Sequence, residues 1–283
     1  MDALTISVQA GAPHHNEGDA MTMTAESDGH QVGTPPPDAA TYDQLLALAR
    51  HRRSVRAIDP HREVPDETID KILEVARWAP SAGNAQPWEF LVVRDAETRK
   101  RIAELYARQM ADKREMQEAV WGHRDHIGYT GFRHSPVFVL VLGDPRVIDA
   151  YPVRTALEKG ESHFVTSLAQ ATVFAHLAVA SLGLGSQWVS DVSSPYMSTM
   201  IKSWLGIPRH MRIYDMFGVG YPAVMPAPTS RRGLDEIVHH ERYDQDRSRD
   251  QEAVERFLWD DTLLGGFRSN NGLKGRGPTE GPA

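Results

Sequence analysis

The sequence predicts an α+β fold, in which helices and strands are interspersed within one core domain. Segments with apolar residues at helical spacing alternate with short, unbroken apolar runs that are typical of strands. Hydrophobic residues make up 41% of the 283 residues, which provides enough apolar material for a sizeable core. Residues 1–38 and 244–283 lack an apolar period, so we expect largely disordered tails and a core domain over residues 39–243.

Two helices are predicted at the start of this domain. Thr41 and Gln44 have the spacing of a capping box, and leucines follow them directly. A second helix is expected from Asp66, because the apolar residues that follow it fall on one helical face. These residues are Ile69, Ile72, Leu73 and Ala76.

Later segments complete the order of elements. Strands are predicted at residues 90–93, 137–142, 187–189 and 215–221, and the unbroken run at 137–142 is typical of a strand buried on both faces. A polar helix is expected at residues 96–119, and a helix at residues 164–182 has apolar or small residues on nearly every side. Such a helix must be buried all round, which a subunit interface would achieve, so we predict a homodimer. Aromatic residues in the C-terminal tail indicate a short docked helix at residues 254–264.

Composition excludes several classes of function. The absence of cysteine excludes disulfides, thiolate nucleophiles and iron–sulfur clusters, and it fits the cytoplasmic location that we expect. The net charge of -7 argues against binding of nucleic acid or of an anionic membrane surface. We recognise no signal peptide, and the apolar stretch at residues 169–184 is too short and too polar to span a membrane.

Histidines do not indicate a metal site. His123 and His126 lack a third candidate ligand, so no metal is predicted. His163 and His176 fall on the predicted buried helix, where we expect core residues rather than catalytic ones.

Two basic segments are candidates for binding an anion, since the planar fork of arginine suits a phosphate. Extended backbone would place alternate side chains of the first segment on one side of the chain. This segment contains Arg52, Arg53, Ser54 and Arg56. The second segment is the pair Arg231 and Arg232. The alternative is a solvated group of charges, which in the first segment would stabilise the C-terminal end of a helix.

The loop at residues 79–87 carries uncharged polar side chains. Ser81, Asn84 and Gln86 offer neutral donors and acceptors, and Gly83 permits close approach of the backbone to a flat ligand. The edge of an oxidised flavin ring has alternating donors and acceptors without a full charge, so this loop suits it. The alternative is an ordinary loop in which Asn and Ser form local turns.

Gly183 and Gly185 do not form a dinucleotide-binding fingerprint. Trp188 stands where the third glycine is needed, and the segment follows a helix rather than a strand. We interpret it as a helix C-cap followed by an extended segment.

In their order and spacing, these segments resemble the nitroreductase superfamily of flavoproteins. Arg-x-Ser-x-Arg is followed by Ala-Pro-Ser-x-x-Asn-x-Gln-Pro-Trp-x-Phe, by Gly-Leu-Gly after a long helix, by Gly-x-Gly-Tyr-Pro and by a late Arg before Leu-Asp-Glu-Ile-Val. The resemblance covers residues 42–241, and its most specific part is Pro-Ser-x-x-Asn-x-Gln-Pro-Trp. It implies a three-layer α-β-α sandwich with a central mixed sheet, assembled as an intertwined homodimer with FMN at the subunit interface.

The resemblance also implies roles for individual residues. The FMN phosphate and the ring edge would be held by Arg52, Arg53, Ser54 and Arg56. Arg231, with Arg232, would close on the phosphate. The flavin would be lined from the other subunit by Pro80, Ser81, Gly83 and Asn84. The strand under its ring would be formed by Gln187, Trp188, Val189 and Ser190.

The implied activity is transfer of hydride from NAD(P)H to FMN, and then to a small aromatic acceptor such as a nitroarene or a quinone, by a ping-pong mechanism. The flavin carries the redox chemistry, so no side chain is predicted as a catalytic acid or base. The acceptor is expected to meet an aromatic lid within residues 105–132. Its rings would be Tyr106, Trp121, Tyr129 and Phe132. The alternative is that these rings pack against the core.

Three other functions stay open. One is a family relative with different flavin chemistry, either reductive dehalogenation or oxygen-dependent flavin fragmentation. The second is a non-enzymatic flavin-binding or sensor protein. The third is a binding domain for another phosphate-bearing ligand, which a visible absorbance spectrum would distinguish from a flavoprotein.

Overall fold

The computed structural model describes residues 38–121 and 130–257 of the chain. Its α-helices are α1 (Ala39–His51), α2 (Asp66–Ala76), α3 (Ala96–Trp121), α4 (Arg146–Ala150), α5 (Val153–Ser181), α6 (Pro195–Leu205), α7 (Leu234–Ile237) and α8 (Gln251–Arg256). Its strands are β1 (Ala57–Ile58), β2 (Trp88–Val93), β3 (Val137–Gly143), β4 (Gly185–Val189), β5 (Arg212–Gly220) and β6 (Pro222–Val224). Short 3-10 turns lie at Ala82–Asn84, Gly131–His134, Ser190–Ser193 and Gln245–Arg247.

The main sheet has the strand order β2-β3-β5-β4. The named strands pair in antiparallel fashion, and a parallel bridge between Ser54 and Ser186 adds a further segment beside β4. A second, two-stranded sheet joins β1 to β6. The segment that carries the first arginine cluster is therefore placed directly beside β4.

Helices cover both faces of the main sheet. Every residue of β3 is buried, because its alternate side chains enter two different hydrophobic clusters. Val137, Val139 and Val141 pack with residues of α2 and α5. The intervening residues of β3 pack with α3 and α6 on the other face. This is a three-layer α-β-α arrangement, and the predicted α+β class is confirmed.

The start of α1 differs from its prediction. The helix begins at Ala39, and its N-cap is Asp38 rather than Thr41. The Asp38 carboxylate accepts hydrogen bonds from the Thr41 backbone N–H at 2.8 Å and from the Thr41 hydroxyl at 3.0 Å. The predicted capping box of Thr41 and Gln44 was wrong, because Asp38, an equally favoured capping residue, stands one turn earlier.

The central helix α5 is longer than its apolar pattern predicts. It begins at Val153 after Pro152, and its first turns are rich in charged residues that give no apolar signal. With 29 residues, α5 is long and apolar enough to cross a membrane by length and composition alone, which corrects the expectation that this segment is too short and too polar, yet half of its most apolar window is buried inside the fold. Packing against the sheet accounts for this composition. Several apolar side chains of α5 nevertheless face outward: Val153, Leu157, Val165 and Val173.

The described chain ends shortly after α8, which is capped by Asp250: its carboxylate accepts from the Ala253 backbone N–H at 2.8 Å. The helix expected at residues 254–264 overlaps only the last part of α8. Residues 258–283 lie outside the described residues, as do residues 1–37 and 122–129.

Candidate functional site

A cavity of about 360 Å³ lies between α5, the first arginine segment and the strands β4 and β5. It is lined by Arg52, Ser54, Ala169, Thr172, Val173, His176, Ser186, Trp188, Tyr214 and Asp215. A second cavity of about 300 Å³ shares Trp188, Tyr214 and Asp215 with the first and extends to Glu161 and Arg212. We call the first of these the arginine cavity and the second the distal cavity.

Close backbone contact holds the arginine segment against β4. The Val55 backbone N–H donates to the Ser186 carbonyl at 2.9 Å, and the Val55 side chain is buried. A Cβ atom on Gly185 would lie 2.7 Å from the Val55 side chain, so only glycine permits this approach. The alternation of extended backbone turns Val55 inward and leaves Arg52 and Ser54 at the wall of the cavity.

The two basic segments lie close to one another. Burial lowers the pKa of Arg52 below its usual value, and the positive charges of Arg231 and then Arg53 lower it further. The Arg53 guanidinium donates to the carbonyls of Arg50 and Arg52, and that of Arg231 donates to the Thr229 hydroxyl at 2.6 Å and the Ser230 carbonyl at 2.7 Å. Among residues 38–121 and 130–257, none of these three arginines has an acidic partner.

The other predicted arginines are placed differently. Arg232 lies 3.4 Å from the Glu236 carboxylate and donates to the Glu236 carbonyl at 2.8 Å, so its charge is balanced inside the first turn of α7. Arg56 donates to the Ser54 carbonyl at 3.3 Å and does not line the arginine cavity. The structure therefore brings Arg231 close to Arg52 and Arg53, next to Ser54, whereas Arg56 and Arg232 do not line the arginine cavity.

His176 belongs to the cavity wall rather than to the core that its sequence context predicts. Its Nδ1 atom lies 2.7 Å from the Ser186 hydroxyl. Burial, and secondly the positive charge of Arg52, lower the pKa of His176 to about 4, so the ring is neutral near pH 7. The sequence contains one signal that could have found this position, which is helical spacing. One face of α5 carries the cavity residues Ala169, Thr172, Val173 and His176.

The predicted flavin-binding residues of β4 point alternately to the two faces of the sheet. Trp188 is 56% exposed and lines the arginine cavity, whereas Gln187 and Val189 are buried on the opposite side. Ser190 is exposed at the start of the following turn. Of these four residues, only Trp188 brings its side chain to the cavity.

Asp215 is a site residue that the sequence gives little reason to select, because it is a single acidic residue at the start of a predicted apolar strand. It is 3% exposed and lines both cavities. Burial raises the pKa of Asp215 to about 7, and a hydrogen bond from the Trp188 side chain acts in the opposite direction. A carboxyl group that titrates near neutral pH therefore lies beneath the exposed indole.

The polar loop packs on a different part of α5. The Ala82 backbone N–H donates to the Ser167 hydroxyl at 3.2 Å, and the Tyr151 hydroxyl donates to the Ala82 carbonyl at 3.2 Å. Gly83 has φ +60°, and Asn84 is also left-handed. At a rise of 1.5 Å per residue, Ser167 lies about 13 Å along the axis of α5 from His176. Within one chain, Pro80, Ser81, Gly83 and Asn84 do not line the arginine cavity.

Two of the predicted lid residues are core residues. Tyr106 and Phe132 are 3% and 1% exposed, and their rings pack edge to face with centroids 5.0 Å apart. They belong to the hydrophobic cluster between the sheet, α3 and α6. Tyr129 and the side chain of Trp121 lie outside the described residues, as do His123 and His126. No group of three or more metal-binding side chains occurs within the described ranges.

Comparison with known proteins identifies the family. The model of the nitroreductase family matches residues 49–221. A protein of the NADH dehydrogenase/NAD(P)H nitroreductase type from Archaeoglobus fulgidus is 30% identical over 180 residues, which are 64% of this chain and 86% of that protein. The 5,6-dimethylbenzimidazole synthase of Rhodospirillum rubrum is 30% identical over 209 residues, 69% of this chain and 97% of that protein.

Solved structures agree with the sequence comparisons. A nitroreductase-type protein of Desulfovibrio desulfuricans, crystallised in complex with FMN, superimposes with a TM-score of 0.51 at 26% identity. The match covers 71% of this chain and 98% of that one. The chain described here belongs to the nitroreductase family of oxidoreductases.

Proposed function

We propose that this protein is an FMN-dependent oxidoreductase that moves hydride from NAD(P)H to a small aromatic acceptor, such as a nitroarene or a quinone. The observation that carries the proposal is that Arg52, which lines the arginine cavity, lies close to Arg231 and Arg53, and that none of the three has an acidic partner among the described residues. A cation at a cavity wall that is repelled by two neighbouring cations favours an anionic ligand.

The phosphate of FMN fits the arginine end of this cavity. It carries up to two negative charges and several acceptor oxygens, which two arginine forks and a hydroxyl can satisfy together. Arg52 and Arg231 would bind the phosphate, with the hydroxyl of Ser54 at the cavity wall beside them. The ring of His176 is neutral near pH 7 and supplies a neutral polar group between this end and β4.

A planar ring fits the rest of the cavity. The exposed face of Trp188 and the apolar wall of Ala169 and Val173 offer it a flat, mostly uncharged surface. We infer that the opposite wall is supplied by a second copy of the chain, through its residues 80–84. Two features support a homodimer: residues 80–84 do not line the arginine cavity within one chain, and α5 turns apolar residues outward.

When bound, FMN supplies the redox chemistry by accepting hydride from NAD(P)H and passing the reducing equivalents to the acceptor. The residues of the chain would bind FMN, orient its ring and shield it from water. The positive charge of Arg56, whose guanidinium donates to the Ser54 carbonyl, would favour the negative charge that reduction adds to a bound flavin. We assign no side chain as a general acid or base, and we place turnover in a ping-pong sequence because one cavity serves both donor and acceptor.

An absorbance experiment tests the proposal. Purified protein loaded with FMN should have a flavin spectrum, should bleach when NADH or NADPH is added without oxygen, and should regain its colour when a nitroarene or quinone is added. Failure of FMN to bind would end the proposal. A flavin that NAD(P)H does not reduce would instead indicate a non-enzymatic flavoprotein.

A second candidate is oxygen-dependent fragmentation of flavin. It is favoured by the match to 97% of the length of the Rhodospirillum rubrum synthase. Aerobic incubation of the reduced holoprotein, followed by mass spectrometry of the small molecules, separates the two reactions. Loss of FMN into a benzimidazole product would support fragmentation, and recovery of intact FMN would support hydride transfer to an acceptor.

A further inference from the structure

The polar loop at residues 79–87 contains three left-handed backbone positions. Gly83, Asn84 and Gln86 have φ angles of 60°, 52° and 46°. Such angles strain a residue that has a side chain, so the conformation persists only where surrounding groups hold it. Inside the loop, the Ser81 hydroxyl accepts from the Gln86 backbone N–H at 3.0 Å, and the Ser81 carbonyl accepts from the Asn84 N–H at 3.0 Å. These bonds fix the loop internally but do not attach it to the rest of the fold.

The backbone of one loop residue is attached to the fold at both its N–H and its carbonyl. The Ala82 N–H donates to the Ser167 hydroxyl of α5, and the Ala82 carbonyl accepts from the Tyr151 hydroxyl, each at 3.2 Å. Ser167 is 0% exposed, so water cannot replace its bond to the loop without a rearrangement of the packing. We call Tyr151 and Ser167 the loop clamp.

Both residues of the loop clamp are themselves held in place. The Ser167 hydroxyl donates its proton to the His163 carbonyl at 2.6 Å, which leaves its oxygen available to accept from Ala82. The Tyr151 ring packs edge to face against the His163 ring, with centroids 5.9 Å apart. A Cβ atom on Gly83 would lie 3.7 Å from the Tyr151 ring, so this ring also contacts the loop. Burial raises the pKa of Tyr151, so its hydroxyl stays protonated and can donate near neutral pH.

We propose that Tyr151 and Ser167 are positioning residues, which hold residues 80–84 in the conformation that meets the flavin bound by the partner subunit. The inference rests on the proposed function, in which this loop supplies the second wall of the flavin site. Neither residue lines the arginine cavity or the distal cavity within one chain, so each acts through the backbone of Ala82. The residues on both sides of Ala82 are the predicted flavin-lining ones, and a rotation of its backbone would displace them.

The loop clamp should affect binding of the flavin ring rather than of its phosphate. The proposed phosphate ligands, Arg52 and Arg231, belong to other segments of the chain. A loosened loop would have to be ordered when the flavin binds, and this ordering lowers affinity. Removing either hydroxyl of the clamp should therefore weaken binding of FMN and of riboflavin, which lacks the phosphate, by the same factor of about threefold or more.

Hydrogen exchange of the full chain without FMN tests whether the clamp holds the loop. Y151F keeps the ring and removes only the hydroxyl that donates to the Ala82 carbonyl, and S167A removes the acceptor of the Ala82 N–H. In each variant, amides of residues 79–87 should exchange about fivefold faster than in the wild type. Exchange in β3 should not change, because the main sheet does not depend on these bonds.

Two matched variants serve as controls. Y196F removes a hydroxyl from an exposed tyrosine of α6, and S181A removes a hydroxyl of α5 that donates to the Ala178 carbonyl at 2.8 Å. Neither residue lines the two cavities or has a hydrogen bond to the loop among the described residues. Both controls should keep the loop exchange and the flavin affinities of the wild type.

Titration with FMN and with riboflavin then tests the positioning role. Y151F and S167A should lose affinity for both flavins equally, so the ratio of the two affinities should remain that of the wild type. A purely structural role would instead accelerate exchange in β3 as well as in the loop. If S167A fails to fold, Y151F decides the matter, because its ring still packs against His163.

Three results would overturn the inference. The first is unchanged loop exchange in both clamp variants, and the second is faster loop exchange with unchanged affinity for both flavins. The third is a loss confined to FMN, because the phosphate end of the site would then be affected instead of the loop. A wild type that binds neither flavin contradicts the proposed function itself, and the positioning role is then rejected with it. A wild type that binds flavin beside clamp variants of equal affinity overturns this inference alone.

Discussion

Two buried titratable groups at the cavity wall have pKa shifts of opposite direction. The pKa of Asp215 is raised from 3.8 to about 7, so its contribution to stability is present below pH 3.8 and is lost as pH rises through 7. The pKa of His176 is lowered from 6.5 to about 4, so its contribution is present above pH 6.5 and is lost as pH falls through 4. Between about pH 4 and 6.5, the contributions of Asp215 and His176 to stability change in opposite directions with pH.

Removing one titratable group should therefore make the pH dependence of stability that is caused by the other group measurable. In D215N, the free energy of unfolding should rise with pH between about 4 and 6.5, by on the order of 1 kcal/mol per pH unit, because His176 acts alone. The wild type should have a flatter profile over the same range. Urea unfolding at a series of pH values measures both slopes, and equal slopes in the two proteins would contradict the assigned shifts.

The residues of the cavity differ in how visible they are in the sequence. The arginines and Ser54 stand out because charged and polar groups are concentrated within one short segment. Asp215 and His176 do not, since each is a single polar residue inside an apolar element, where a satisfied core residue is the more frequent case. Their roles emerge only when β4, β5 and α5 are brought together.

At the scale of elements, the close approach of the arginine segment to β4 depends on Gly185. A Cβ atom at this position would lie 2.7 Å from Val55, and Val55 cannot move without shifting Arg52 and Ser54. Gly206, at the C-terminal end of α6, offers a matched control: its φ is +67°, and a Cβ atom there would contact nothing within 4 Å.

Gly206→Ala should therefore cost only the strain of a left-handed backbone, about 1 kcal/mol. Gly185→Ala should cost more than that, and it should also weaken FMN binding because the arginine segment is displaced. Thermal unfolding and FMN titration of both variants measure these effects. An FMN affinity of Gly185→Ala equal to that of Gly206→Ala would show that the contact with Val55 does not position the site.

Elements with a strong local pattern were predictable. The helix from Asp66 and the fully buried strand β3 are confirmed, because the apolar period of each matches its burial. The start of α5 was missed, because charged residues on its exposed first turns carry no apolar period. The packing of Tyr106 and Phe132 could not be read from the sequence, since a lid and a core both require aromatic residues.

At the scale of the whole molecule, the proposed site needs a second copy of the chain. The apolar residues that α5 turns outward, including Leu157 at 82% exposed and Val165, would be covered by that copy. Wild-type protein should therefore elute with a mass near twice the chain mass of 31.6 kDa in size-exclusion chromatography with light scattering.

Leu157→Glu should shift the protein toward the monomer and release FMN together with the partner. Met116→Glu, at an exposed position of α3 outside the two cavities, is the control and should remain a dimer. A monomeric wild type that still binds FMN would contradict a site shared between subunits.

The sequence motifs predict which segments form the site, but they do not predict which residues of those segments reach the cavity within one chain. Order and spacing alone indicate the arginine segments, the polar loop and β4. That Arg232 is balanced by Glu236, while Arg52 and Arg231 lack an acidic partner among the described residues, depends on the path of the chain after β6. Local sequence does not determine that path.

The central claim is that Arg52 and Arg231 meet around one phosphate. Binding of FMN and of riboflavin, which lacks the phosphate, should be measured for the wild type, R52Q, R231Q and the control R77Q, whose arginine is paired with Glu74 at 2.6 Å on the surface. We predict that R52Q and R231Q each weaken FMN binding by about tenfold or more and leave riboflavin binding within about twofold. The control R77Q should not weaken the binding of FMN in this way. Equal losses for FMN and riboflavin, or no loss of FMN affinity in either variant, would contradict the claim.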